Sequence, residues 1–234
     1  MTDLLAEACA RRVWLFDLDG TLVDSCPAHE AAFRQAIAEV APGLLASFRY
    51  ADHTGASTRE VAVRLLGDTE EAARLARLKQ RLYRENLGTV AVFPGARRLL
   101  ARLTTAGRAA YVVTGGSRAS VERTLAERSL DAYFIDVLTG DDLPVSKPDP
   151  ACYAYACEHW GLDPGAVVVL EDSAHGVASA VGAGLATIHA HVAEPAPGAV
   201  AARDLEEIAT LLEKDAEPAV ETDAEKDVEV SGAG

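Results

Sequence analysis

Two aspartates, Asp17 and Asp19, stand two positions apart directly after a short apolar run, Val13–Phe16. In an open α/β sheet, ligands bind beyond the carboxyl ends of the strands, which is where such residues would lie. An acidic pair at that place can act as a nucleophile, as a general acid and base, or as a cation ligand. Gly20 follows and suits a sharp turn. Because Asp-Gly is also common in ordinary turns, the pair alone favours chemistry only modestly.

Two further predicted strand exits carry groups that can hold an anion. Thr114 and Gly115 follow the apolar run Ala109–Val113 and lead into a helical stretch, whose N-terminus helps to bind a negative charge. Lys147 stands in a loop stiffened by two prolines, where a fixed lysine can offset the charge of a phosphate group. Taken singly, each is more simply explained as a helix cap or as an exposed lysine.

A second acidic pair, Glu171 and Asp172, follows the apolar run 166–170. Together with Asp17 these carboxylates could bind a hard divalent cation, and oxygen ligands with retained waters suit Mg²⁺. The simpler alternative is that Asp172 caps the following helix. The four strand exits together provide a nucleophile, a proton carrier, a metal site and a cationic clamp, which are the parts that in-line phosphoryl transfer requires.

The elements that would position these residues alternate along the chain. Near-continuous apolar runs of strand length are typical of strands covered on both faces of a parallel sheet. The alternation of such runs with helical patterns predicts an α/β fold built on a doubly wound parallel sheet. The predicted strands are Val13–Phe16, Ala109–Val113, 133–138, 166–170 and 185–189. The predicted helices of this core are 96–106, 118–128, 150–160 and 174–183.

One connection is too long for this alternation of strands and helices. After the first strand, the next core helix begins only near Pro94, whereas a whole βαβ unit needs about 30 residues. The intervening stretch has helical patterns at 28–40, at 59–66 and after Asp68, which forms a capping pair with Glu71. We therefore predict an inserted α-helical cap at 25–90, within a discontinuous core made of 1–24 and 91–212.

Composition limits the class of protein. The 234 residues include 22 Lys and Arg against 36 Asp and Glu, a net charge of −14, which disfavours a nucleic-acid partner. Residues 213–234 hold eight acids and two lysines, a net of −6, and predict a disordered acidic tail. No apolar run approaches the roughly 20 residues of a membrane span, and no secretion signal is visible. We therefore expect a soluble, cytoplasmic protein with no membrane partner.

The four motifs give the chain a resemblance to the haloacid dehalogenase superfamily of phosphotransferases. They occur in the order of that family, as DLDGT at Asp17, then Thr114, then Lys147 with the following PDP, then EDSAHGVASAVGAG from Glu171. The resemblance covers nearly everything from 12 to about 191. The helical insertion after the first motif resembles the cap of the phosphoglycolate phosphatase and β-phosphoglucomutase branch.

The resemblance implies a role for each core residue. Asp17 would attack the phosphorus and form an aspartyl-phosphate, while Asp19 would protonate the leaving alcohol and then activate water. Thr114 and Lys147 would hold the phosphoryl group beside Gly115, which stands where many relatives have asparagine. The implied Mg²⁺ site is formed by Asp17, the main-chain carbonyl of Asp19, Asp172 and, in support, Glu171.

Two cap residues gain a role only from the resemblance. His29 stands where β-phosphoglucomutase-like proteins and some sugar phosphatases carry a histidine. Arg59 stands where the cap of this branch often supplies a cation to the substrate. Both are therefore expected to contact a small phosphorylated metabolite.

We expect a Mg²⁺-dependent phosphatase acting on a small phosphomonoester, such as a sugar phosphate or phosphoglycolate. The main alternative is a sugar phosphomutase, although such mutases follow the second motif with a Lys-Asn pair where this chain has Ser117 and Arg118. A dehalogenase is less expected, because a departing halide does not need the proton that Asp19 would supply. A phospho-aspartate signalling domain would be shorter and would lack the insertion. The sequence leaves open whether the protein is a monomer or a homodimer.

Overall fold

The computed structural model describes residues 2–53 and 56–216. In that part of the chain, helices cover both faces of a six-stranded sheet, and further helices lie over the carboxyl ends of its strands. The strands are β1 (Val13–Phe16), β2 (Val23–Asp24), β3 (Ala91–Val92), β4 (Ala109–Val113), β5 (Asp136–Leu138), β6 (Val167–Glu171), β7 (Ala186–Ala190) and β8 (Val200–Ala202). The helices are α1 (Thr2–Cys9), α2 (Cys26–Val40), α3 (Thr58–Leu66), α4 (Glu70–Glu85), α5 (Ala96–Thr105), α6 (Arg118–Glu127), α7 (Ala151–Trp160), α8 (Ala174–Gly182) and α9 (Leu205–Ala216).

The main sheet has the order β5-β4-β1-β6-β7-β8, and every pairing in it is parallel. Strand β1 lies at the centre, with Val13 paired to Ala109 of β4 on one side and to Val167 of β6 on the other. The carboxyl ends of β1, β4 and β6 therefore meet at one edge of the sheet. The predicted doubly wound parallel fold is confirmed.

Both faces of the sheet are buried, which explains why its strands are apolar at successive positions. In β1, Trp14 and Phe16 enter the apolar cluster that α1, α5 and α9 cover. Leu15 enters the opposite cluster, which includes buried residues of α7 and α8. The side chains of a strand alternate between faces, so a strand covered on both sides needs apolar residues at every position.

The helices α2, α3 and α4 form the inserted cap. They pack around an apolar cluster of their own, which includes Phe33, Ile37 and Leu75. The chain enters and leaves this unit through β2 and β3, which pair with each other in antiparallel fashion, Val23 with Val92. The range predicted for the insertion, 25–90, is the stretch between these two strands.

Several element boundaries differ from the sequence-based expectation. The predicted strand 133–138 is shorter, because β5 is an edge strand that pairs with β4 only from Asp136 to Leu138. The third cap helix is capped by Thr69 rather than by Asp68, because the Thr69 hydroxyl accepts the hydrogen bond from the Ala72 amide. Helices α1 and α9 and the short strands β2, β3 and β8 were not predicted from the sequence.

The predicted start of the acidic tail at 213 is wrong. Helix α9 continues to Ala216, and Glu213 forms ion pairs with Arg98 and Arg102 of α5. Residues 217–234, which make up the rest of the predicted tail, lie outside the described residues. Within 2–53 and 56–216, every helix is too short or too polar to cross a lipid bilayer.

Candidate active site

The loop after β1 places Asp17 and Asp19 at the carboxyl edge of the sheet. The Asp17 amide donates a hydrogen bond to the carbonyl of Leu170 at 3.0 Å, so its backbone continues the sheet pattern. Gly20 then turns the chain with a φ of +89°, and a Cβ atom there would overlap the Asp172 carboxylate. This glycine is therefore required both for its left-handed backbone and for the close approach of Asp172.

Lys147 reaches into the same edge from the loop between β5 and α7. Its Nζ lies 2.7 Å from Asp17 Oδ1, 2.5 Å from Glu171 Oε1 and 2.9 Å from the carbonyl oxygen of Val113. Burial lowers the pKa of Lys147, but the charges of Asp17 and Glu171 outweigh this effect and raise it well above its usual range. The raised pKa favours the charged form of this buried lysine directly beside Asp17.

Three carboxylates form an acidic cluster around this lysine. Asp17, Glu171 and Asp172 each offer an oxygen, and these oxygens all lie within 4.8 Å of one another. Burial raises the pKa of Asp17 well above its usual range, and repulsion by Glu171 and Asp172 adds to this despite the opposing effect of Lys147. Burial and the charge of Glu171 raise the pKa of Asp172 to about 6. A hard cation would relieve this repulsion, and the oxygen donors suit one.

Glu171 lies at the back of the cluster. It is the last residue of β6 rather than the first residue after the strand, and only 1% of its surface is exposed. Its Oε1 accepts a hydrogen bond from the Tyr153 hydroxyl at 2.7 Å, and its Oε2 accepts one from the Ser173 hydroxyl at 3.3 Å. A Cβ atom at Gly176 would overlap this carboxylate, so the small residue allows α8 to lie against it.

The exit of β4 forms a tight loop next to the lysine. Thr114 is buried, and its hydroxyl accepts a hydrogen bond from the Gly116 amide at 3.2 Å. The carbonyl of Gly116 accepts a bond from the Gly140 amide at 2.9 Å, and Gly140 packs directly against the backbone of Gly115. The loop thus holds backbone and hydroxyl groups close to Val113, whose carbonyl binds Lys147.

Asp19 turns its carboxylate away from the cluster and toward the cap. Tyr83 of α4 donates a hydrogen bond to Asp19 Oδ1 at 3.3 Å, and His29 Nε2 of α2 lies 3.7 Å from the same oxygen. Burial raises the pKa of Asp19, but the hydrogen bond and charge of His29, together with Lys79, outweigh it and lower the pKa to about 2. The implied metal contact through the Asp19 main-chain carbonyl stays a prediction.

The chain is similar in sequence and fold to known proteins. Residues 14–190 match the model of the haloacid dehalogenase-like hydrolase family. The chain is 31% identical over 205 residues to the plasmid phosphoglycolate phosphatase of Cupriavidus necator, covering 85% of this chain and 89% of that protein. It is 34% identical over 177 residues to hexitol phosphatase A of Escherichia coli, covering 73% and 79%.

The chain belongs to the haloacid dehalogenase-like hydrolase family. A solved structure of CbbY from Rhodobacter sphaeroides in complex with phosphate superposes with a TM-score of 0.71 at 25% identity, covering 85% of this chain and 96% of that one. The predicted family and the predicted enzyme class, a phosphoric monoester hydrolase, are both confirmed.

The haloacid dehalogenase-like site also contains a residue that sequence reasoning missed. Lys79 of α4 is only 2% exposed, and its Nζ lies 2.6 Å from His29 Nδ1 and 3.1 Å from Thr58 Oγ1. Burial lowers the pKa of Lys79 to about 8, although the charge of Asp19 opposes the shift. The available signal was its position four residues after Leu75, which puts a lysine on the apolar face of an amphipathic helix.

The two predicted cap residues have different surroundings. His29 is brought to the site and stacks on Tyr83 with a ring-centroid separation of 4.0 Å. Arg59 is exposed and makes no hydrogen bond or ion pair within the part of the chain that the structure describes. It lines a surface groove with Arg81 and Arg84, so its predicted contact with a substrate stays a prediction.

Proposed function

We propose that the protein is a Mg²⁺-dependent phosphatase that hydrolyses a small phosphomonoester through a phosphorylated Asp17. The contact of Lys147 with Asp17 is the observation that carries this proposal, because it pairs a buried carboxylate with a fixed cation at the sheet edge. Around that pair, the acidic cluster offers a cation site and Asp19 offers a proton carrier. The three parts serve one in-line displacement.

Asp17 is the nucleophile in this proposal. Lys147 binds its Oδ1, so the other oxygen is left to attack the phosphorus while the bond to the leaving oxygen breaks. Lys147 and the Thr114 loop then balance the charge of the phosphoryl oxygens during transfer. Water afterwards attacks the phosphorus of the aspartyl-phosphate, which releases inorganic phosphate and restores the Asp17 carboxylate. A covalent route divides one difficult displacement into two easier ones.

Asp19 moves the protons. The charge of a bound phosphomonoester raises the pKa of Asp19 from its low value, so that the carboxyl group can protonate the departing alcohol. The resulting carboxylate then accepts a proton from the hydrolytic water. Tyr83 and His29 hold this carboxylate from the cap, so the residue is placed for both steps only while the cap covers the site.

Mg²⁺ is the proposed cofactor. The donor set fits it, since Asp17 and Asp172 provide carboxylate oxygens and Glu171 supports them from behind. The ion would neutralise negative charge on the phosphoryl group as it transfers.

The proposed substrate is a small polar phosphomonoester, such as a sugar phosphate or phosphoglycolate. Similarity to a phosphoglycolate phosphatase and a hexitol phosphatase supports this class. The wall of the cap beside the site is polar, with Thr58 and Gln80 next to Lys79. The Ser117 hydroxyl of the core lies 3.5 Å from Gln80 Oε1, so the cap approaches the core closely at the edge of the site.

A substrate panel tests the proposed function. Purified protein would be incubated with phosphoglycolate, sugar phosphates, nucleotides and pyrophosphate in Mg²⁺, with and without a chelator. We expect phosphate release from at least one small phosphomonoester and its loss on chelation. Interconversion of glucose 1-phosphate isomers faster than phosphate release would instead establish the mutase alternative. Halide release from a 2-haloacid would contradict the proposed reaction.

Replacing Lys79 by methionine is expected to slow the enzyme and stabilise its fold. The folded-state pKa near 8 lies below the usual 10.5, so at pH 7 the buried ammonium group lowers the free energy of unfolding. The destabilisation due to Lys79, measured as the difference between the variant and the wild type, should shrink between pH 8 and 10.5, because the folded state releases the Lys79 proton first. The catalytic rate should fall about 10-fold, because His29 loses its donor and no longer holds Asp19.

The measurements are phosphate release and thermal unfolding at pH 7 and pH 9.5. Arg123→Met is the control, because this arginine lies on the exposed side of α6, away from the surface groove that Arg59 lines, 2.7 Å from Glu127. It should change neither quantity appreciably. A Lys79→Met variant that turns over at the wild-type rate would exclude a role for this lysine in the reaction.

A further inference from the structure

Two histidines at the end of β7 contact the backbone of residues around the acidic cluster. His189 is only 7% exposed, and its Nε2 lies 2.9 Å from the carbonyl oxygen of Asp172. His191 Nε2 lies 3.0 Å from the carbonyl oxygen of Thr21. Neither histidine takes part in the reaction proposed above.

The hydrogen bonds of His189 indicate which of its two ring nitrogens acts as the donor. The amide of Ala196 donates to Nδ1 at 3.0 Å, so this nitrogen must carry a lone pair. In the neutral ring the proton then lies on Nε2, which donates it to the Asp172 carbonyl. The neutral imidazole thus uses both nitrogens and connects the main chain of Asp172 to the loop between β7 and β8.

The second histidine, His191, contacts the residue that binds the Asp172 carboxylate. Thr21 is fully buried, and its hydroxyl donates a hydrogen bond to Asp172 Oδ1 at 2.9 Å. His191 binds the main chain of Thr21, and its ring lies 4.3 Å from that of Phe93, just after β3. Asp172 is therefore fixed at its carbonyl by His189 and at its carboxylate by Thr21.

We propose that His189 is a positioning residue for the cation site, which holds Asp172 so that its carboxylate faces Asp17. The inference rests on the proposed function, because it assumes that this cluster binds Mg²⁺. Residues that orient a metal ligand through hydrogen bonds commonly change metal affinity when they are replaced. A histidine that only filled space would affect folding stability and leave metal affinity unchanged.

Two substitutions separate these roles. In His189→Asn, the side-chain oxygen can replace Nδ1 and still accept from Ala196, but the bond to Asp172 is lost. In His189→Gln, the side-chain nitrogen can replace Nε2 and still donate to the Asp172 carbonyl. Mg²⁺ binding to the metal-free full-length protein would be measured by titration calorimetry. We expect about 10-fold weaker binding in His189→Asn and near-wild-type binding in His189→Gln.

Further variants and outcomes address a folding defect in His189→Asn and a wild-type protein that binds no Mg²⁺. His159→Asn makes the same change at an exposed histidine of α7 and should leave Mg²⁺ affinity unchanged. Should His189→Asn not fold, His191→Asn keeps His189 but removes the bond to Thr21 and the ring contact with Phe93, and should weaken binding about 3-fold. Equal affinity in wild type and His189→Asn, or equal loss in the asparagine and glutamine variants, would overturn the positioning role. A wild-type protein that binds no Mg²⁺ would overturn the metal dependence in the proposed function, and this inference with it.

Discussion

Replacing Asp17 by asparagine is expected to abolish phosphate release without unfolding the protein. An amide is a poor nucleophile and cannot form the acyl phosphate, so we expect a loss of about 10 000-fold or more. The fold should persist because Lys147 keeps Glu171 as a partner at 2.5 Å. The substitution also removes one charge from a cluster in which burial and repulsion raise the pKa of Asp17. Phosphate release and thermal unfolding would be measured together.

Asp52→Asn is the matched control for this experiment, because it makes the same change at an exposed carboxylate of the cap. It should retain wild-type turnover. Mass spectrometry of acid-quenched wild-type reactions should find one added phosphoryl group on Asp17, and none on the Asp17→Asn variant. Residual activity of about a tenth in Asp17→Asn would mean that water attacks the substrate directly.

Replacing Lys147 by methionine is expected to damage both activity and stability. Its ammonium group is the only cation among the described residues within 4 Å of the acidic cluster, and its removal leaves buried carboxylates unpaired. Breaking a buried pair from one side costs about 3–5 kcal/mol in the free energy of unfolding. Turnover should fall by about 1000-fold, because the phosphoryl group loses its fixed positive charge.

The loss of stability in Lys147→Met should depend on pH. With no lysine, the carboxylates can lower their repulsion only by taking up protons, so the folded state gains stability as the pH falls through the raised pKa values of Asp17 and Asp172. We expect a larger deficit relative to wild type at pH 8 than at pH 5, measured by urea unfolding of metal-free protein.

Combining Lys147→Met with Glu171→Gln separates the effect on stability from the effect on activity. Removing the second charge should restore part of the stability, while the phosphatase activity stays lost. Recovery of activity in the double variant would contradict a direct role of Lys147 in phosphoryl transfer.

The sheet and the strand-exit residues could be predicted from the sequence for a shared reason. Strands buried on both faces must be apolar throughout, so β1, β4 and β6 are recognisable, and polar residues that follow them mark one edge of a parallel sheet. The weaker predictions concern the places where a strand or a helix begins or ends. β5 pairs on one side only, and the end of α9 depends on ion pairs between Glu213 and α5 that no local pattern reveals.

The supporting residues of the site were harder to find. Lys79 contacts His29, which is 50 positions away along the chain, and this contact exists only because α2 and α4 pack side by side. His189 lies within an apolar strand, and its partners Asp172 and Ala196 belong to two different loops. Such contacts follow from tertiary packing, and the spacing of residue types in one sequence carries no record of them.

The pairing of Val23 with Val92 has a consequence for how such a protein can diversify. The two junctions of the cap lie side by side, and all six strands of the main sheet lie outside the cap. One helical cap could therefore be exchanged for another at this point without moving the carboxyl edge of that sheet. The exchange would have one restriction. His29 and Tyr83 belong to the cap, yet both contact Asp19 of the core. A transplanted cap must therefore bring both a new substrate preference and its own side chains to hold the Asp19 carboxylate.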